Sequence, residues 1–253
     1  MSSKNAEGLI RQLQEKFEHT SSVSQLLAPL STRIEEEKIS GICDALSISF
    51  LRTQAKRQAF PDNNESYDKL KLDELVRYQC IHSSDQQAAA KHVLREIGLR
   101  WFSNAADKNT VQSCNVTESG FVKLVSAHLK HMAGIVETLK KEKTDDGIAL
   151  PVGISDIYAM LYFKRPGSKG DHNCSAIFSP DGQVHYFDPN VGAFIFESIK
   201  SCGQFVQLTA NKLRYGEKLE ALFFFDRIPL FKIPGFSTMD PLLNFKNWSK
   251  GKN

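Results

Sequence analysis

The chain has 253 residues, 41% hydrophobic and 24% charged, enough for a well-buried core of ordinary globular composition. Its net charge of +3 has no concentrated basic stripe behind it, which argues against a nucleic-acid binder. The longest apolar run, Ala221-Leu222-Phe223-Phe224-Phe225, stops at Asp226 and is too short to span a bilayer.

The N-terminus, Met1-Ser2-Ser3-Lys4-Asn5-Ala6-Glu7, lacks an apolar core, so no general-secretory signal peptide is expected. Residues 7–18 carry Leu9, Ile10, Leu13 and Phe17 at helical spacing and predict an amphipathic helix. The break Thr20-Ser21-Ser22 is expected to cap a short helix running through Leu26 and Leu27. A helix over 42–58 would put Leu46, Phe50 and Leu51 on one face and Arg52, Lys56 and Arg57 on the other. A polar loop at 61–66 follows, then helices over 70–80, 84–102 and 118–141, the last striped by Phe121, Leu124, Val125, Leu129, Met132 and Ile135. His128 and His131 in that helix match no metal-ligand pattern and read as surface residues.

Beyond Gly147 the periodicity changes. Strands are predicted over 157–163 and 193–196, a helix over 197–213 and a strand over 219–229. Helices first and an antiparallel sheet second predict an α+β fold, a helical N-terminal half packed on a C-terminal sheet. The expected organisation is a helical extension over 1–30, a catalytic domain over 31–234 and a tail over 235–253.

Between the first two strands lies the main chemical signal. Ser179-Pro180-Asp181-Gly182 is a turn sequence at the midpoint between His172 and Asp188, so the chain predicts a hairpin that brings these two side chains together. A carboxylate that orients a histidine is two-thirds of a nucleophile-activating triad. Cys43 follows Ser40-Gly41-Ile42 and opens a helix, where unsatisfied N–H groups favour a thiolate. Gly41 gives the backbone room to turn, and the Cys43 N–H is a candidate donor to a developing oxyanion. The remaining cysteines, Cys80, Cys114, Cys174 and Cys202, are scattered without a C-x-x-C pair and read as small buried hydrophobes in a reducing place of work. No metal and no cofactor is expected.

Gly41-Ile42-Cys43-Asp44-Ala45-Leu46-Ser47-Ile48-Ser49-Phe50 resembles the nucleophile helix of the YopT-type effector cysteine peptidases, G-x-C-x-G/A-L-S-x-x-W. Tyr186-Phe187-Asp188-Pro189-Asn190-Val191-Gly192-Ala193-Phe194-Ile195-Phe196 resembles their F-D-P-N-x-G-x-F-x-F signature, and His172 lies at the family's spacing from Asp188. The resemblance implies a papain-like fold with Cys43 as nucleophile, His172 as general acid and base, and Asp188 orienting His172. It implies delivery by a specialised bacterial system into the host cytoplasm. The partner implied is a host protein substrate near a membrane, such as a membrane-associated small GTPase, and a monomer is expected. Asn190 and Gly192 are candidates for shaping the turn or touching substrate.

The sequence departs from the pattern at Phe50, where the family has Trp, and before the nucleophile. Papain-like enzymes place an Asn or Gln five or six residues ahead of the cysteine, and here those positions are Lys38 and Glu37. Lys38, Ser40 or another segment would then complete the oxyanion site. Two alternatives accompany the peptidase reading. One is a lysine fatty-acyltransferase using the same triad, with Phe223, Phe224, Phe225 and Phe231 contributing to an acyl tunnel. The other is a papain-like binding module without catalysis.

Overall fold

The computed structural model describes residues 3–82, 84–96, 98–101, 113–141, 156–164 and 172–225. Among these, the helices are α1 (Ser3–Lys16), α2 (Leu30–Glu36), α3 (Cys43–Ala55), α4 (Lys69–His82), α5 (Gln86–Glu96), α6 (Glu118–Lys141) and α7 (Ile199–Leu213). The strands are β1 (His19–Ser21), β2 (Arg100–Trp101), β3 (Ser113–Asn115), β4 (Ile157–Lys164), β5 (His172–Phe178), β6 (Val184–Asp188), β7 (Gly192–Phe196) and β8 (Lys218–Phe225). They form one antiparallel sheet in the order β1-β7-β6-β5-β4-β8-β2, with β3 on the far part of β8. The α+β expectation is met, with the cysteine helix packed against the sheet.

Alternation along the strands explains why this sheet is buried on both faces. Ile157, Ala159, Leu161 and Phe163 of β4 join the core made with α1, α6 and α7. Tyr158, Met160 and Tyr162 point the other way, into the core made with α3, α4 and α5. A central strand apolar on both sides reads as a continuous hydrophobic run, as strand β4 does. The helical first half is therefore divided, because α1 and α6 cross to the α7 face.

Most predicted elements appear within a few residues of their expected bounds, and α6 matches at both ends. Four local expectations are corrected, the first being Cys80, which is exposed rather than buried. The Thr20-Ser21-Ser22 segment does not cap a helix: His19–Ser21 is edge strand β1, paired with β7, and residues 25–29 form turns before α2. Side-chain bonds win over helix propensity there, since Asn64 accepts from the Ser24 N–H at 2.8 Å and donates to the carbonyls of Ser24, Leu27 and Ala28. Helix α5 ends at Glu96, and Arg100–Trp101 pairs with β8. His128 is buried, not at the surface: its Nδ1 lies 2.8 Å from the Leu124 carbonyl and its ring stacks on Phe223. The expected stretch past Phe225, the tail, Phe231 and the connector after Lys141 lie outside the described residues.

Helix α3 is the element that positions the candidate nucleophile. Its first six residues, Cys43 to Ile48, are all buried, so it sits between α4, α5 and the sheet and is amphipathic only in its second half. Phe50 stacks on Phe187 at 5.1 Å and meets Phe60 edge-on, so the ring that stands in for the family's Trp fills a three-ring cluster.

Candidate active site

Cys43 is the first residue of α3 and is 8% exposed. The helix begins there because the Leu46 N–H closes the first turn onto the Ile42 carbonyl at 3.0 Å. Gln79 of α4 takes up another of the first-turn donors, the Ala45 N–H, at 3.2 Å. The first turn also carries Asp44, fully buried, whose Oδ1 accepts from Asn173 Nδ2 at 3.1 Å. Ser47 Oγ donates to the Asn173 carbonyl at 3.1 Å. The residues following Cys43 and His172 are thus bonded to each other, which brings the head of α3 to the start of β5.

The hairpin forms as expected. The Gly182 N–H bonds the Ser179 carbonyl at 2.9 Å, and Gly182 takes φ +94°, a conformation glycine adopts without strain. Strands β5 and β6 pair from Phe178↔Val184 to Ser175↔Phe187. One step further, Cys174 lies across from Asp188 and His172 sits on the diagonal. His172 Nε2 is 2.9 Å from Asp188 Oδ1. The carboxylate accepts only, so Nε2–H donates and Nδ1 is the nitrogen that exchanges a proton. Asn173 points toward α3, and its neighbours His172 and Cys174 point to the other face of the strand.

The dyad is enclosed. Asp188 is fully buried and also accepts from the Asn190 N–H at 2.9 Å and from the Tyr215 hydroxyl at 2.9 and 2.8 Å on its two oxygens. The Tyr215 ring stacks on the His172 ring at 3.8 Å. Burial by itself would push the His172 pKa down, but the interactions with Cys174 and Asp188 outweigh it and hold the imidazole well above its usual value. Asp188 supplies the charge in that balance, because burial pushes the Cys174 thiol up to about 12 and leaves it neutral at pH 7. Cys174 Sγ lies 3.3 Å from His172 Nε2 and yet is a poor nucleophile for the same reason.

His172, Cys174 and Asp188 offer donor atoms within 4.8 Å of one another, the arrangement a metal ion would need. Three donors already occupy the carboxylate and the thiol holds its proton, so these atoms fit an oriented histidine better than a metal centre.

The other candidates are dispersed. Lys38 follows α2 in the left-handed region at φ +55°, exposed, and Ser40 is exposed as well. Gly41 lies against Gln25: a Cβ there would come within 2.9 Å of Gln25 Oε1. Gly192 has a packing reason, since a Cβ there would fall 2.2 Å from the Ser21 carbonyl oxygen. Asn190 is 9% exposed and bonded to Gln25 and Tyr215. Sequence reasoning missed Gln25, Cys174 and Tyr215. For Cys174 the signal was available, because it shares the strand face of His172; Gln25 and Tyr215 come from remote segments and leave no local pattern. Phe223 and Phe224 are core residues on opposite faces of the sheet.

No curated protein matches the chain. The structure is similar to that of the Pseudomonas avirulence protein AvrPphB, with a TM-score of 0.41 and 17% identity over 74% of this chain and 92% of that one. Among the described residues no helix is long and apolar enough to cross a membrane. The Peptidase_C58 family, described as Yersinia/Haemophilus virulence surface antigen, matches residues 11–221, and the chain belongs to that family of cysteine peptidases.

Proposed function

We propose that the chain is an effector peptidase that cleaves a host protein through Cys43, His172 and Asp188. The observation that carries this reading is the buried His172–Asp188 bond of 2.9 Å at the strand end to which the head of α3 is tied. His172 Nδ1 takes the Cys43 proton, and the thiolate attacks the scissile carbonyl carbon to give a tetrahedral oxyanion. Collapse breaks the C–N bond as His172 returns the proton to the leaving amine, and Cys43 is left as a thioester. Water then attacks the thioester, giving its proton to His172, and the carboxylate product leaves with the thiol restored. Asp188 stabilises the imidazolium that exists between these transfers. The Cys43 N–H, at the head of α3, is the donor to the oxyanion, with the positive end of the helix dipole beside it. Family membership supports delivery into a host cell and a host protein substrate.

The test is the pH dependence of Cys43 alkylation by iodoacetamide, followed on the Cys43 peptide by mass spectrometry. Wild type is expected to react fast at pH 7, and His172→Ala to react at least ten-fold more slowly there. Equal rates in the two proteins would remove His172 from the chemistry. Incubation with host-cell lysate separates the acyl acceptors: new peptide termini that need Cys43 mark a peptidase, and fatty-acylated lysines mark a transferase.

A further inference from the structure

A single line of hydrogen bonds runs from Asp188 to the backbone that leads into α3. The Tyr215 hydroxyl donates to Asp188 at 2.9 and 2.8 Å. Asn190 Nδ2 donates to the Tyr215 oxygen at 3.0 Å. Gln25 Nε2 donates to Asn190 Oδ1 at 2.7 Å, and the Ile42 N–H donates to Gln25 Oε1 at 2.7 Å. The residue after Ile42 is Cys43.

The polarity of this line is fixed from both ends. A carboxylate only accepts, so the one proton of Tyr215 goes to Asp188 and its oxygen must accept from Asn190. Asn190 therefore turns its Oδ1 to Gln25, and Gln25 must present Nε2 there and Oε1 to the turn. The Ile42 N–H can only donate, which agrees. No amide in the line can flip without leaving a buried polar atom unpaired, since Gln25 and Asn190 are each 9% exposed and Tyr215 is 6% exposed.

The segment that supplies Gln25 is itself anchored. The Gln25 N–H donates to the Pro189 carbonyl at 2.7 Å, and Ser24 Oγ donates to the Asn190 carbonyl at 2.7 Å. Tyr215 arrives through the left-handed C-cap Arg214, which ends α7 and turns the chain toward β8. Three remote pieces of chain thus converge between the acid of the dyad and the turn ahead of the thiol.

We infer that Gln25, Asn190 and Tyr215 are positioning residues, a directed relay that holds the His172–Asp188 pair and the turn carrying Cys43 in one frame. The inference rests on the proposed roles of Cys43 and His172. It assigns Gln25 a task that neither its type nor its place in the sequence suggests. It also gives Tyr215 two functions, holding Asp188 through its hydroxyl and covering His172 with its ring.

Two near-isosteric variants test it. Tyr215→Phe keeps the ring on His172 and removes the hydroxyl, and Gln25→Met keeps the length of the side chain and removes both bonds. The readout is the rate of Cys43 alkylation by iodoacetamide from pH 5 to pH 10, beside the melting temperature of each protein. Each variant is expected to shift the midpoint of the rate profile up by about one pH unit and to react ~10-fold more slowly at pH 7. Above pH 9.5, where the thiol ionises unaided, the rates should rejoin wild type.

Gln25 and Tyr215 reach each other through Asn190, so breaking the line at either place has the same consequence. The double variant is therefore expected to shift the midpoint no further than either single one. Asn190→Asp, which demands the Tyr215 proton for itself, interrupts the line at its centre and should shift the midpoint as far as the others. It serves equally if either end variant fails to fold. A lowered melting temperature with an unmoved midpoint, or shifts that add in the double variant, would overturn the relay. His172→Ala in the same assay distinguishes the two levels of failure. If it moves the midpoint and the relay variants do not, the relay alone is wrong; if it leaves the midpoint in place, the dyad reading falls and the relay with it.

Discussion

Replacing Asp44 by Asn is expected to stabilise the protein at pH 8 and to change little at pH 4. Asp44 is fully buried at the first turn of α3, where its Oδ1 takes one bond from Asn173 and its Oδ2 has no hydrogen-bond partner. Burial raises its pKa from 3.8 to about 7, against the weaker pull of Asn173 and of the nearby Tyr78 hydroxyl. A carboxyl with a folded pKa above its unfolded one binds more protons in the folded state between those values. Stability therefore falls as pH rises from about 4 to about 7, and it stays flat above that window. A rise of about three pH units corresponds to roughly 4 kcal/mol, and relaxation of the neighbours brings the expected loss to on the order of 2–4 kcal/mol. An amide at position 44 has no such penalty, still accepts from Asn173 Nδ2, and can donate to the neighbouring Asn173 Oδ1, which is buried without a partner. Urea unfolding of both proteins at pH 4, 6 and 8 measures the difference. Parallel pH profiles, with Asp44→Asn gaining nothing at pH 8, would refute the assignment of a buried Asp44 carboxyl that titrates near neutral pH.

Gly192→Ala is expected to cost ~3 kcal/mol or more by urea unfolding, because the new Cβ would fall 2.2 Å from the Ser21 carbonyl oxygen at φ +112°. Asn64→Ala removes four hydrogen bonds that hold residues 24–28 and should cost on the order of 2–4 kcal/mol in the same assay; a loss under 0.5 kcal/mol would mean that segment is held elsewhere. Asp188→Asn removes the charge that raises His172, so the Cys43 alkylation rate at pH 7 should drop at least ten-fold while the rate above pH 9.5 is kept. Brief iodoacetamide labelling of the native protein should modify exposed Cys80 and leave Cys174 and Cys202 untouched until urea is added, since both are fully buried.

Local signals carried most of what the sequence could reveal. Turn chemistry at Ser179-Pro180-Asp181-Gly182 is specified by four adjacent residues, so the sequence alone pairs His172 with Asp188. Helix α6 was legible because its 24 residues carry an unbroken period and start after Thr117, whose hydroxyl caps the Gly120 N–H at 3.0 Å. Strand β1 was not legible, because three residues, His19–Ser21, become a strand only through the edge of β7, where Ser21 pairs with Ala193 far along the chain. Gln25 likewise acquires its meaning from Asn190 and Ile42. Gln25 turns its oxygen, an acceptor, to the turn ahead of Cys43 and donates its Nε2 to Asn190, so it holds backbone there rather than presenting a donor to an oxyanion. Lys38 and Ser40 are exposed there, whereas the amide that touches the turn comes from the segment stapled by Asn64.

The two faces of β5 show what the candidate site demands of the core. Toward α7 the strand presents Cys174, Ala176 and Phe178, all in the hydrophobic cluster. Toward α3 it presents Asn173 and Ser175, both fully buried, and Asn173 Oδ1 and Ser175 Oγ lack hydrogen-bond partners. An apolar pair in their place would avoid the desolvation cost of each unpaired group, about 1–3 kcal/mol. Stability alone would therefore not select these residues beside the head of α3. Their arrangement makes sense if register matters more than packing at that spot. An apolar contact tolerates sliding, whereas the Asp44–Asn173 bond of 3.1 Å fixes α3 against β5 at one position along the strand. The residues so fixed are the immediate neighbours of Cys43 and His172. The proposed relay through Gln25 ties the residue just ahead of the same helix, at Ile42. Two polar ties to one helix end, each costly to bury, are what the proposed Cys43–His172 chemistry would need to keep its geometry.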